Sequence, residues 1–325
     1  MTREEKAIKN RYDFVFLFDV KDGNPNGDPD QVNLPRIDTE DQHGLVTDVC
    51  LKRKVRNYVQ LAKGSEKGYD VFIRQRAIAD SDSYLNAIIG KAEGSTSVEK
   101  RGKLEDEYYD IRTFGAVLST GEKNEDVAEI QEDNEGDAGG KKKSKEKKVK
   151  GAGTVRGPVQ FTFARSVDRI FQAEHSITRC CVTTEGERDA QLKNDREFAS
   201  TFGRKSTVPY ALYRMHGFVS AVDAIKTGFS EEDLSLLWKS LINAFEHDRA
   251  AARGEMNPRK LVIFKHTNRL GDDLSGRLFS RVTVSKKEKV ELPREIGDYV
   301  INVDTNGINK AIEVKVWPDD IDFQV

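Results

Sequence analysis

The chain has little cysteine. Its 325 residues include three, Cys50, Cys180 and Cys181, two of them adjacent and none in a CxxC pair. That spacing excludes a zinc ribbon, and so few thiols argue against a disulfide scaffold, so a reducing interior is the expected setting. Histidine is also sparse: His43, His175, His216, His247 and His266 show no metal spacing such as HExxH. His247 follows an apolar helix stripe and reads as structural. No apolar run is long enough to cross a bilayer, and the polar opening MTREEKAIKNR has no apolar signal core. A soluble cytoplasmic protein with no membrane partner is expected. Net charge is almost absent too, since 53 Lys and Arg stand against 55 Asp and Glu, leaving −2. Near-neutrality neither demands nor excludes a nucleic-acid partner, because a basic face can sit inside a balanced total. The distribution of charge therefore matters more than its sum.

What the chain does contain is a strongly apolar strand, Tyr12 to Val20, running directly into Lys21-Asp22-Gly23-Asn24-Pro25-Asn26-Gly27-Asp28-Pro29-Asp30. Phe14, Phe16 and Phe18 alternate with Val15, Leu17 and Asp19, so both faces are mostly apolar, as in a strand covered on both sides. Gly, Asn, Asp and Pro after it fix or permit unusual backbone angles, which predicts a shaped loop at the end of a central strand. Binding usually sits on such loops.

Further along, Leu51, Val55, Tyr58, Val59 and Ala62 recur at helical spacing and predict a helix over 49–62, with Thr47 or Asp48 as N-cap. Lys52, Arg53 and Arg56 fall beside that stripe and Lys54 at its other edge. Residues 69–74 read as a short strand, and 81–91 and 97–109 as helices. From Glu122 to Asp137 eight acids face one base, and from Lys141 to Lys150 seven lysines face one acid. This stretch, 122–150, has almost no core-forming residues and is expected to be a mobile, self-neutralising insertion within one elaborated domain spanning 1–325. Strand-like sequence resumes at 157–166, 175–184 and 208–222, interrupted by a polar excursion. Ser230 and Asp233 have capping-box spacing before a helix whose apolar face is Leu234, Leu237, Trp238, Leu241, Ile242 and Phe245. Residues 259–266 and 277–285 complete the strands, leaving a short tail. Interleaved strands and helices place the fold in the α+β or α/β class.

The loop admits three chemistries. Residues 22–27 match the start of a calcium EF-hand loop, but the twelfth position is Asn33 instead of Glu and the preceding element is a strand, which rejects calcium. Asp19, Asp22, Asp28, Asp30 and Asp38 offer carboxylates for magnesium-assisted phosphoryl chemistry; Asp is also common in turns for local reasons. Third, backbone N–H groups of a Gly/Asn loop can meet phosphates, with Lys52, Arg53 and Arg56 adding charge. The Gly203-Arg204-Lys205-Ser206-Thr207 segment lacks the spacing of a nucleotide phosphate loop. Arg112-Thr113-Phe114-Gly115-Ala116-Val117 loosely echoes an RNA-recognition strand without its terminal aromatic.

As a set, several segments resemble one family. They are Asp22 to Asp28 after a strand, Leu34-Pro35-Arg36-Ile37-Asp38, Thr47 to Arg56, Asp110 to Ala116, Val155 to Gln160, Ser176-Ile177-Thr178-Arg179 and Val208 to Tyr213. In this order they are similar to the CRISPR-associated Cascade backbone subunit, most closely its subtype I-C (Dvulg) form. The resemblance implies an α+β fold with an RNA-recognition-motif-like (ferredoxin-like) palm and inserted finger/web and thumb segments, the thumb matching 179–207. It implies a non-catalytic subunit without cofactor or metal. Copies of it would polymerise along CRISPR RNA beside cap and large subunits and present the guide to target DNA. The RNA-binding residues it implies are Asn24, Asn26, Gly27, Lys52, Arg53, Arg56, Arg112, Arg179, Arg204 and Lys205. The competing expectation is a metal-dependent RNA endonuclease, since type III relatives place an Asp in the early loop; Asp22, Asp28 or Asp38 would be its carboxylates.

Overall fold

The computed structural model describes residues 2–80, 84–119, 151–194 and 201–321. The stretch 122–150 lies outside the described residues. The chain divides into two compact units, both discontinuous in sequence: residues 10–58, 161–219 and 237–325 in one, and 1–9, 59–160 and 220–236 in the other.

The first unit is built on a large antiparallel sheet. Its strands are β1 (Tyr12–Gly23), β2 (His43–Val46), β3 (Ala164–Arg169), β4 (Ala173–Arg179), β5 (Thr201–Val219) and β6 (Glu255–His266). β7 (Val282–Lys286) and β8 (Tyr299–Val303) form a separate hairpin, and β9 (Ile312–Trp317) closes one edge. The sheet order is β9-β6-β1-β5-β3-β2 with every neighbour antiparallel. The helices used below are α1 (Asp48–Lys63), α2 (Glu185–Lys193), α3 (Glu231–Ile242) and α4 (Ser275–Ser280).

β1 is the centre, as its composition predicts, and it is buried without a break from Tyr12 to Val20. On one face Phe18 stacks on Tyr213 with centroids 5.3 Å apart, and Phe14 meets Trp238 edge-on at 4.9 Å. On the other, Val15 and Leu17 pack with Leu212, Val262 and Phe264 beneath Phe279 of α4 and Tyr299 of β8. Asp13 and Asp19 are the buried charges in this apolar strand, and both are satisfied. Asp13 accepts from Arg11 and His266, both at 2.9 Å; Asp19 accepts from Arg259 at 2.7 Å and from the Tyr210 hydroxyl at 3.0 Å. Asp272 N–H donates to Nδ1 of His266, so the proton lies on Nε2 and points at Asp13. The β1–β6 register slips between Leu17 and Phe18, where Pro258 stands opposite Phe18 and has no N–H for the ladder.

The C-terminal region holds more structure than its sequence suggests. Residues 277–285, expected as one strand, split into α4 and β7. A helical turn buries the adjacent pair Leu278 and Phe279, which a strand would send to opposite faces.

In the second unit a core of Phe72, Ile88, Ile89, Leu104, Tyr108 and Ile111 gathers short helices at 85–91, 97–107 and 109–114. The strand expected at 69–74 reduces to one isolated bridge, Asp70 to Tyr108. The Phe72 and Ile73 N–H groups instead donate to the Asp110 carboxylate at 2.7 and 3.0 Å. The segment Arg112 to Val117, which loosely echoes an RNA-recognition strand, is helical through Phe114 and extended from Gly115, whose φ of +83° marks the change. The predicted capping box forms: Asp233 N–H donates to Ser230 Oγ, and Ser230 N–H donates to Asp233 Oδ2.

Candidate nucleic-acid interface

The loop after β1 is clamped on both sides. Asn24 N–H donates to Ala252 O at 2.8 Å, and its side-chain amide donates to Asn33 O at 2.7 Å. Asn26 Oδ1 accepts from both the backbone N–H and the hydroxyl of Thr47, at 3.0 Å each. Thr47 Oγ1 accepts in turn from Cys50 N–H, so Thr47 is the N-cap of α1. The Asn24 and Asn26 side chains therefore fix the loop to its own protein, which leaves its backbone as the surface offered. Gly23 and Gly27 are required for close approach. A Cβ on Gly23 would meet Arg253 O at 1.8 Å, and one on Gly27 would meet Asn33 Oδ1 at 1.9 Å. The left-handed angles fall to Asp22, Val32 and Asn33 instead, at φ +51°, +50° and +61°.

Two of the loop's acids, Asp28 and Asp38, are engaged locally, while Asp22 and Asp30 are exposed. Asp28 accepts from Asp30 N–H and pairs with Arg36 at 3.4 Å. Asp38 accepts from Glu40 N–H and pairs with Arg165 at 2.8 Å; that guanidinium holds the Asp38 carboxyl below its ordinary range. Among the described residues no group of three or more His, Cys, Asp or Glu is placed to hold a metal ion.

α1 brings the predicted bases beside this loop unequally. Lys52 and Arg53 are half-buried, with Lys52 paired to Asp48 one turn earlier at 2.9 Å. Arg56 is 8% exposed and Lys54 is buried in an ion pair with Asp248. Lys54, three residues from Leu51, lies on the apolar face, whereas Arg56 is buried on a flank that the apolar spacing does not mark.

β5 joins the loop to a projecting arm. Its residues 208–219 pair with β1, Gly23 lying opposite Val208, while residues 201–207 pair with β4. One strand is thus both a central stave of the sheet and half of a two-stranded ribbon. The Gln172 amide donates to Pro35 O at 2.5 Å, tying the ribbon's base to the loop. On the ribbon Phe202 and Arg204 share a face, and β4 is exposed from Glu174 to Arg179. Arg204 is exposed and Lys205 half-buried. Arg179 shapes the ribbon's end, donating to Cys181 O at 2.8 Å and pairing with Glu187 of α2 at 3.2 Å.

Arg112 is placed elsewhere, in the second unit and 7% exposed. Its guanidinium makes a two-pronged contact with Asp233 at 2.7 and 3.1 Å and donates to Gly68 O. Sequence reasoning overlooked Phe202, which is 77% exposed. Its signal is an isolated aromatic in a polar excursion, two residues from Arg204. It also did not foresee that Arg36 pairs with Asp28 and Arg165 with Asp38.

Over residues 10–304 the chain matches the family of CRISPR-associated protein Cas7. It is 25% identical to a CRISPR-associated protein Cas7 of Haloferax volcanii over 321 residues, covering 90% of this chain and 85% of that one. Among solved structures it is similar to a chain of a pre-nicking CRISPR RNA-guided surveillance complex, with 13% identity, a TM-score of 0.44 and coverage of 78% of this chain and 75% of that one. A chain of a second CRISPR RNA-guided surveillance complex matches with 11% identity and a TM-score of 0.39, covering 78% and 68%. Since the family match runs through both units and through nearly all of the sheet, the chain belongs to the Cas7 family.

Proposed function

We propose that the chain is a non-catalytic backbone subunit of a CRISPR RNA-guided surveillance complex of the subtype I-C kind. Copies of it polymerise along the guide RNA beside cap and large subunits and present the bases to target DNA. The observation that carries this reading is the continuity of β5 from the buried sheet into the exposed ribbon. A ribbon anchored that way is a stiff arm, suited to reach a neighbouring copy and the strand running past it. It fits the thumb-like excursion 179–207, whose residues 195–200 lie outside the described residues.

The palm reading has support in connectivity. β1, α1, β3, β5, α3 and β6 follow one another in sequence, and their strands lie in the order β6-β1-β5-β3, the order of a ferredoxin-like split βαβ unit. RNA-recognition motifs stack bases on the sheet face away from the helices. Here that face is covered by α4, β7 and β8, so the guide is held along the loop, α1 and the ribbon instead. Backbone N–H groups, Lys52, Arg53, Arg204 and Lys205 read its phosphates, and base pairing supplies sequence specificity. Arg56 and Arg112 act as internal supports.

The test is to purify the protein with its native nucleic acid from cells carrying a CRISPR array, digest with nuclease and size what survives. RNA protected in regular steps is expected; a nucleic-acid-free monomer would overturn the reading. The endonuclease alternative is weakened by the local pairing of Asp28 and Asp38. Magnesium-dependent cleavage of complementary RNA, abolished in Asp22→Ala or Asp28→Ala, would restore it.

A further inference from the structure

A cavity of about 460 Å³ opens where β3, the base of the ribbon and the β7–β8 connection converge, all within the sheet unit. Pro209 and Tyr210 form one side, and Leu292 and Pro293 form the facing wall. Its volume falls in the range of small-ligand sites. It shares no residue with the loop 22–38 or with α1.

The charges around it are unevenly spent. Asp168 is already satisfied: the Tyr299 hydroxyl donates to it at 2.7 Å and Lys286 Nζ lies 3.4 Å away. Lys286 also donates to Glu291 O at 3.2 Å. Arg169 and Arg294 line the same cavity and are exposed, and neither guanidinium has an ion-pair partner among the described residues. Unpaired guanidinium groups beside an apolar wall suit a ligand that joins a phosphate to a flat ring, since the planar fork matches phosphate oxygens and stacks on ring faces.

A second cavity of about 490 Å³ shares His43 and Val167 with the first and continues along β3 to Phe163, which is 53% exposed. Two cavities in succession along one strand suit a chain of nucleotides better than a single one. Exposed aromatics are common stacking platforms for single strands.

We propose that this groove seats a nucleotide of a single-stranded nucleic acid, with the phosphate between Arg169 and Arg294 and the base against Leu292 and Pro293. The seat is a second nucleic-acid contact, separate from the loop and α1. It is tested in full-length protein carrying Lys52→Glu, Arg53→Glu, Arg204→Glu and Lys205→Glu, which removes the basic side chains assigned to the guide path, so that the outcome does not depend on the guide reading. Binding of hexauridylate and of AMP is measured with and without Arg169→Ala plus Arg294→Ala. Saturable hexauridylate binding, tighter than that of AMP and weakened at least tenfold by the arginine pair, is expected. AMP binding as tight as hexauridylate would assign the seat to a free nucleotide and overturn the strand. Binding that is absent, or unchanged by the arginine pair, would overturn the site itself. Both arginines are exposed, so equal melting temperatures for the variants serve as the folding control.

Discussion

At the residue scale, the Asp233 carboxylate serves a helix cap and a buried cation together, accepting from Ser230 and from both prongs of Arg112. Replacing it with alanine removes both interactions and strands the guanidinium, so Asp233→Ala is expected to cost about 3–5 kcal/mol in urea unfolding. A cost under about 1 kcal/mol would show that Arg112 finds water instead. Residue type alone does not reveal such a role. Arg112 and Arg179 each stand beside a threonine and within two residues of an isoleucine, yet Arg112 is locked to a residue more than a hundred positions later, a tertiary pairing invisible to local pattern. His216 offers a pH test. Its ring stacks on Phe279 at 4.3 Å, and its Nε2 accepts from Arg214 Nε at 2.9 Å. Burial first, then the Arg214 charge, push its pKa down to about 4 from 6.5. Between those values the unfolded chain takes up a proton that the folded chain refuses. The stability is therefore complete above pH 6.5 and declines as pH falls toward 4. His216→Gln keeps an acceptor for Arg214 without titrating. Wild type is expected to lose about 1–3 kcal/mol more than this variant between pH 7 and pH 4.5. Parallel losses would exclude His216 as the cause.

At the element scale, β1, α1 and the capped start of α3 were legible because each carries a period or cap set by its own residues. The 69–74 segment and α4 were not. Their partners, Asp110 and the underside of the sheet, are distant in sequence. The loop after β1 was legible as shaped, but for a partly different reason. Gly23 is needed there less for its backbone freedom than because Arg253 O leaves no room for a Cβ. Since the obstacle is backbone, it cannot rotate aside. Gly23→Ala is therefore expected to destabilise by about 2 kcal/mol and to reduce RNA retention through the loop's position. Full stability with unchanged retention would show that residues 252–254 shift freely.

At the scale of the whole molecule, a formal charge of −2 conceals a divided surface. Asp28 and Asp38 of the loop are paired with Arg36 and Arg165, while Arg204 stands exposed on the ribbon and Lys52 and Arg53 flank the capped end of α1. A guide strand that follows this path displaces counterions at each phosphate it meets, so its affinity must fall with salt. Arg56→Glu is a poor probe of that path, because it would put a carboxylate into a buried position and confound unfolding with weaker binding. Lys52→Glu with Arg53→Glu and, separately, Arg204→Glu with Lys205→Glu are cleaner. Each pair is expected to weaken retention of CRISPR RNA and to reduce the slope of log affinity against log salt by about 0.7 for every phosphate no longer neutralised. Melting temperatures should change by no more than a few degrees. The ribbon pair should also shorten the RNA protected from nuclease, because in the proposed filament that arm reaches a neighbour, whereas the α1 pair should weaken protection without changing its step. If the two pairs act alike on step length, the ribbon holds RNA only within its own subunit and the filament must close through another surface.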